Sequence, residues 1–172
     1  TYDLIVEPSA GSGVFSKKIK NCVAYDIEPD DKTIIKQDFL KLEKLNGKRI
    51  LIIGNPPFGK RSVLAKAFIR KSIELGATTI AFILPDTFSK LSNQSETLFP
   101  KEWRLIVEEK LSDNNFTIKE DEKIKDYHVP CSFYVWTKEA GKINLRKEKV
   151  ENSNDFTFLK RGDKEADFSI NG

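Results

Sequence analysis

Apolar residues along the chain fall into short continuous runs separated by polar turns. Residues 2–6, 21–29, 33–40, 49–54 and 79–85 each read as a strand, the last apolar on both faces. Between the fourth and fifth runs the spacing changes. Leu64, Ala65, Phe68, Ile69 and Ile73 form one stripe, Lys66 and Arg70 lie opposite, and Gly76 follows. This predicts a helix over 62–75 with a glycine stop. A second helix is predicted over 14–19, after Gly11-Ser12-Gly13. Strands alternating with helices, and apolar without a polar face, imply an α/β fold: a parallel sheet with helices on both sides. After Pro85 the rhythm breaks. Residues 86–100 read as a polar loop with a short helix, and 103–111 and 130–137 as two antiparallel strands. The charged run 119–126 lies between those two, and 142–155 has no clear period. Two weak strands are predicted at 156–159 and 166–170.

Composition bounds the reading without deciding it. A chain of 172 residues is enough for one domain with a substantial core. The net charge of +3 is unevenly placed. Residues 1–40 hold five lysines, no arginine and seven acids, whereas the remainder holds 24 basic and 19 acidic residues. That asymmetry suits a cationic small ligand at one end and a polyanion at the other, or simply a lysine-rich solvated surface. Cys22 and Cys131 have no CxxC spacing and His128 is the only histidine, so no zinc site is expected. Two unpaired thiols in apolar runs fit a reducing, cytoplasmic setting. No run approaches the ~20 apolar residues of a membrane span, and no leader pattern opens the chain. The sequence contains no methionine and begins directly on a strand, which points to a trimmed fragment.

The chemistry collects where the strands end. Glu7-Pro8-Ser9-Ala10-Gly11-Ser12-Gly13 is a glycine-rich turn that lets a ligand approach the backbone. The dinucleotide fingerprint is not met, because Ser16 stands where its third glycine belongs and Glu7 would repel a pyrophosphate. A nicotinamide dehydrogenase is therefore disfavoured. Asp26 ends the second run, where a carboxylate can accept from both hydroxyls of a ribose or can serve as a turn residue. Asp38 can take an amino group and Phe39 can cover a ring; a loop acid and a core aromatic are equal alternatives. Gly54-Asn55-Pro56-Pro57-Phe58-Gly59 follows the fourth run. Its prolines fix the backbone and have no N–H, leaving their carbonyls and the Asn55 oxygen as acceptors beside an aromatic face. Such a set suits an exocyclic amino group on a flat heterocycle. The plainer alternative is a tight turn with Phe58 as a core anchor.

Taken together, Glu-Pro-x-Ala-Gly-x-Gly-x-Phe, the acid ending strand two, Gln37-Asp38-Phe39 and Asn55-Pro56-Pro57-Phe58 resemble the S-adenosylmethionine-dependent amino methyltransferases. The resemblance is to the adenine-N6 group, spans residues 1 to about 137, and is carried by the order and spacing of the motifs. It implies a Rossmann-like class I methyltransferase sheet of seven strands, mostly parallel, with a terminal antiparallel hairpin from 103–111 and 130–137. The implied division is a methyltransferase domain over 1–140 and an extension over 141–172.

By the same resemblance, Glu7, Pro8, Ser9, Ala10, Gly11 and Gly13 hold the amino acid part of S-adenosylmethionine. Asp26 and Ile27 hold its ribose, Asp38 and Phe39 its adenine, and Asn55 reaches it as well. Asn55, Pro56, Pro57 and Phe58 are the implied catalytic set, with no metal. Phe58, Lys60, Arg61 and an aromatic from the hairpin region, Tyr127 ahead of Phe116, bind the substrate. The implied substrate is adenine in nucleic acid, DNA ahead of RNA, as in restriction–modification enzymes. The alternatives are an RNA adenine, a protein glutamine, or a non-catalytic binding subunit. The family's element before the first strand and its target-recognition domain have no counterpart here, so a separate specificity domain or subunit is expected.

Overall fold

The computed structural model describes residues 1–111, 115–120 and 123–148, with the backbone alone described for 115–120 and 123–128. Its strands are β1 (Leu4–Glu7), β2 (Cys22–Asp26), β3 (Ile35–Lys36), β4 (Ile50–Gly54), β5 (Thr79–Pro85), β6 (Arg104–Lys110), β7 (Asn115–Glu120), β8 (Lys123–His128) and β9 (Cys131–Thr137). Seven of them form one sheet in the order β3-β2-β1-β4-β5-β9-β6. The first five are parallel neighbours. β9 runs antiparallel between β5 and β6. The expected terminal hairpin is therefore present, with β6 outermost. β7 and β8 form a separate two-stranded hairpin between its strands, in the charged stretch where no strand is expected from the pattern.

This topology brings the carboxyl ends of β1 to β6 and the amino end of β9 to one edge of the sheet. In open α/β sheets that edge is where ligands bind. The predicted turn after β1 and the Asn-Pro-Pro-Phe turn after β4 are neighbours there, because β1 and β4 pair directly.

One face of the sheet carries the core. Ile50, Ile52, Ile80, Phe82 and Leu84 form one buried cluster with Ala65, Phe68 and Ile69 of α1 (Val63–Glu74). Gly76 adopts φ +85° just past that helix, a left-handed stop in which glycine has no Cβ penalty. Over β9 and β6, residues 86–103 supply Phe88, Leu98, Phe99 and Trp103 to the same cluster. Phe99 stacks on Trp136 with ring centroids 3.8 Å apart.

The other face departs from expectation. Leu51, Ile53, Ile83, Phe133 and Val135 are only half-buried. Among the described residues α1 is the only α-helix, so no described α-helix covers this second face. The predicted helix over 14–19 is instead a series of turns. Gly11 at φ +53° and Gly13 at φ +81° hold the chain out of the helical region, and Asn21 at φ +59° turns it back into β2. What remains is too short to repay helix nucleation. The connections 27–34 and 37–49 hold Pro29, paired acids and a single 3-10 turn, and give no length for a helix either.

The segment 142–148, periodless in sequence, packs back on the domain. Leu145 N–H donates to the Leu105 carbonyl. The Arg146 guanidinium donates to the carbonyls of Gln94, Phe99, Pro100 and Trp103 at 2.8–3.2 Å and sits over the Trp136 ring. The predicted strands at 156–159 and 166–170 lie outside the described residues. No helix among the described residues is long and apolar enough to cross a membrane.

Candidate active site

The turn after β1 is held by two carboxylates. Glu7 is buried at 2% exposure, and its oxygens accept from Phe15 N–H at 3.3 Å and Ser16 N–H at 2.7 Å. Asp26, at the end of β2, accepts Gly11 N–H on Oδ2 at 2.7 Å and Glu28 N–H on Oδ1 at 2.8 Å. Ala10 N–H reaches the Tyr25 carbonyl and Asp30 N–H the Gly11 carbonyl. The glycine-rich loop is thus tied to two strand ends. Beside Gly11 nothing lies within 4 Å of where a Cβ would stand, and Val14 and Ile27 are exposed at 58% and 64%. Open backbone, a carboxylate with lone pairs to spare and exposed aliphatic surface meet at this point.

At the end of β3, Asp38 Oδ1 caps a 3-10 turn through Leu40 N–H at 2.9 Å, and Lys41 stands 3.8 Å from its other oxygen. Phe39 is 1% exposed and stacks on Phe68 at 5.5 Å between centroids. The ring expected to cover an adenine is given to the core instead, because the 3-10 turn swings it under the sheet against α1.

The turn after β4 meets the turn after β1. Ser9 Oγ donates to the Asn55 carbonyl at 3.3 Å. A Cβ on Gly54 would stand 3.4 Å from Pro8 and 3.6 Å from Glu7, ordinary contact distances that show how closely the two turns approach. Pro56 is buried and Pro57 exposed. Gly59, Arg61 and Ser62 follow at φ +66°, +55° and +59°, the last two without glycine's freedom. Left-handed backbone at non-glycine residues costs roughly 1–2 kcal/mol each and gathers at functional turns. Phe58 is half-buried against the main core. Lys60 and Arg61 are exposed, with no ion pair among the described residues. β7 and β8 put Phe116 opposite Tyr127 in register, and both side chains lie outside the described residues.

Two buried side-chain polar atoms among the described residues lack a hydrogen-bond partner: Asn55 Oδ1 and Tyr134 Oη. The first falls on the residue that the motif singles out. The second was not anticipated, although a tyrosine inside the apolar run of β9 carries a hydroxyl that needs a partner once buried. Burial pushes the Tyr134 phenol up to about 12. The thiols are inert by the same effect, desolvation raising Cys22 to about 11 and Cys131 to about 12. No group of three or more potential metal ligands exists among the described residues.

Residues 3–151 match the EDM2 methyltransferase-like domain. The chain belongs to that family. It is 27% identical over 159 residues to Protein ENHANCED DOWNY MILDEW 2 of Arabidopsis thaliana, a match that takes in 79% of this chain and only 12% of the Arabidopsis protein. Solved structures share the fold. PH1948 from Pyrococcus horikoshii, a proposed RNA methyltransferase, superposes with a TM-score of 0.55 at 13% identity over 78% of this chain and 73% of its own. The 23S rRNA methyltransferase ErmE does so with a TM-score of 0.55 at 14% identity, over 80% and 62%. The EDM2-like domain therefore has a Rossmann-like methyltransferase fold, and its two motif turns occupy the ligand-binding edge of that fold.

Proposed function

We propose that this domain transfers a methyl group from S-adenosylmethionine to the exocyclic amino nitrogen of an adenine in nucleic acid. The observation that carries the reading is Asn55 Oδ1, an acceptor buried without a partner on a rigid proline turn and joined through Ser9 to the glycine-rich turn. Leaving such an atom unsatisfied costs about 1–3 kcal/mol, which a donor N–H from a substrate would recover.

The residues around the first turn suit S-adenosylmethionine. The open space at Gly11 admits its amino acid part, Asp26 has lone pairs left for ribose hydroxyls, and Ile27 and Val14 offer apolar cover for its adenine. Bound there, it supplies a methyl group on an electrophilic sulfonium. Glu7 shapes the loop through its two N–H contacts. Asn55 Oδ1 and the Pro56 carbonyl would accept the amino hydrogens and draw the nitrogen towards tetrahedral geometry, which is alignment and fixed electrostatics rather than proton abstraction. Phe58 would stack on the base with the part of its ring outside the core, and Lys60 and Arg61 would meet phosphates. In duplex DNA the base must first leave the stack at a cost of a few kcal/mol. RNA is tested ahead of DNA, since PH1948 and ErmE are described as acting on RNA.

A non-catalytic nucleic-acid-binding domain is the second reading. The loss of the helix after Gly13 and of the Phe39 ring from the ligand edge favours it. Calorimetric titration with S-adenosylmethionine, then methyl transfer to matched RNA and DNA oligonucleotides and to a glutamine peptide, separates the readings. Saturable cofactor binding with N6-methyladenine as product supports the first. Absence of cofactor binding removes it.

A further inference from the structure

Further along the same sheet edge from the Asn55 turn lies a cavity of about 490 Å³. Asp86 and Ser89, which follow β5, line it with Glu108 and Lys110 of β6 and Ser132 and Tyr134 of β9. The register explains the grouping. Phe82, Tyr134 and Glu108 lie side by side across three strands, and so do Leu84, Ser132 and Lys110. Their side chains therefore share one face. β9 stands two strand spacings from β4, roughly 10 Å from the line of Asn55. That is the reach of a neighbouring nucleotide.

Tyr134 is 1% exposed, and its hydroxyl is the second partnerless buried atom. Tyr134 lines the cavity and stands directly opposite Glu108, which lines it too. Ser132 Oγ gives its proton to Asp86 Oδ1 at 2.8 Å and so is no donor towards Tyr134. Asp86 Oδ2 has Lys110 Nζ at 3.7 Å, beyond hydrogen-bond length. The floor thus offers one phenol donor and one carboxylate acceptor with capacity left. Two lining carboxylates against one ammonium turn away phosphates and other anions. A flat neutral ligand with N–H donors beside a carbonyl satisfies both groups. Guanine presents that edge: its ring N–H and amino group suit a carboxylate, and its carbonyl suits a phenol.

We propose, resting on the nucleic-acid reading above, that this cavity receives a guanine base next to the methylated adenine. The test is titration of the full chain with guanosine, inosine and adenosine, followed by NMR shifts of cavity residues. Inosine lacks only the exocyclic amino group. Guanosine is expected to bind about fivefold or more tightly than either of the others, the worth of roughly one hydrogen bond. Tyr134→Phe, which keeps the packed ring, and Asp86→Asn, which keeps the shape, should each weaken guanosine about fivefold and leave cofactor affinity unchanged. Absence of shifts up to on the order of 10 mM nucleoside, equal affinity for the three, or an unaffected Tyr134→Phe would overturn the proposal. Saturation by free arginine in place of guanosine would overturn it too, in favour of a peptide ligand. The measurement is of binding and stands apart from methyl transfer. A chain that binds guanosine here and methylates nothing sinks the catalytic reading alone, and one that methylates adenine but ignores guanosine sinks the cavity alone.

Discussion

The two halves of the ligand edge are built on opposite terms. At the ends of β1, β2 and β3, Glu7, Asp26 and Asp38 all accept from backbone N–H groups of the loops at this edge. Just past the end of β4 and midway along β9, Asn55 and Tyr134 keep buried oxygens with no partner. The first half uses its polar groups to hold a loop in shape. The second retains bonding capacity at a cost to the empty fold. An acid in a motif is thus no guide to what touches the ligand, because it can be fully engaged in shaping the backbone. An orphaned buried acceptor points more directly to the place where something must arrive.

The comparison is broken most severely at Asn55. Asn55→Ala should lower kcat by about 10²–10³-fold, the worth of one preorganised polar contact in a transition state, while cofactor affinity holds. Its unfolding free energy should stay level or rise by up to about 1 kcal/mol, since an unmet acceptor is removed. Single-turnover methyl transfer and denaturant melts on the same variant check both halves. A stability loss without a rate loss would make Asn55 a structural turn residue.

Glu7→Ala should do the reverse. It strands the N–H groups of Phe15 and Ser16, and a loss of about 2–3 kcal/mol in urea unfolding is expected, with cofactor binding lost through the loop. Glu7→Gln keeps one acceptor and should recover part of both. Gly59→Ala probes the strained approach to α1. At φ +66°, with Leu64 2.9 Å from the new Cβ, it should cost about 1–2 kcal/mol and shift methyl transfer more than cofactor affinity.

The smallest effect is in alkali. Tyr134 rises from 10.0 to about 12, Cys22 from 9.0 to about 11 and Cys131 from 9.0 to about 12, all by burial. Each group keeps its proton longer when folded than when unfolded, so its contribution is complete below the unfolded value and lost as pH climbs through the folded one. Stability should be flat to about pH 9 and fall between there and about pH 12, the late titration of one phenol being visible in ultraviolet absorbance. Tyr134→Phe should lessen the slope above pH 10 and abolish that phenol's late titration.

Much of this edge was legible in the sequence. Strands buried in a parallel sheet must be apolar throughout, so the pattern located β4 and β5 closely, and β5 at residues 79–85 without error. The proline pair marked the turn after β4 because few other pairs restrict a backbone so strongly. What escaped depended on distant partners. Phe39 next to an acid reads equally as ligand cover or core, and only its stack on Phe68 decides. Arg146 sits in a charged stretch with no period, yet four carbonyls from residues 94–103 converge on it. The orphaned Tyr134 hydroxyl is a property of the closed sheet and has no local trace. The helix over 14–19 failed for a local reason: two glycines and an asparagine took left-handed conformations within a stretch of a few turns.

The place of β9 sets an order of events for a chain leaving the ribosome. β6 pairs in the sheet with β9 alone, and β9 comes later in the sequence. Until residue 137 emerges, β6 has no strand to join and β5 stands as a raw apolar edge able to pair with another nascent chain. The closing step must then bring β9 across from residue 131 to residue 85 in antiparallel register, a long-range contact that slows folding. A chain cut before that strand loses more than a hairpin: the centre of its sheet becomes a border.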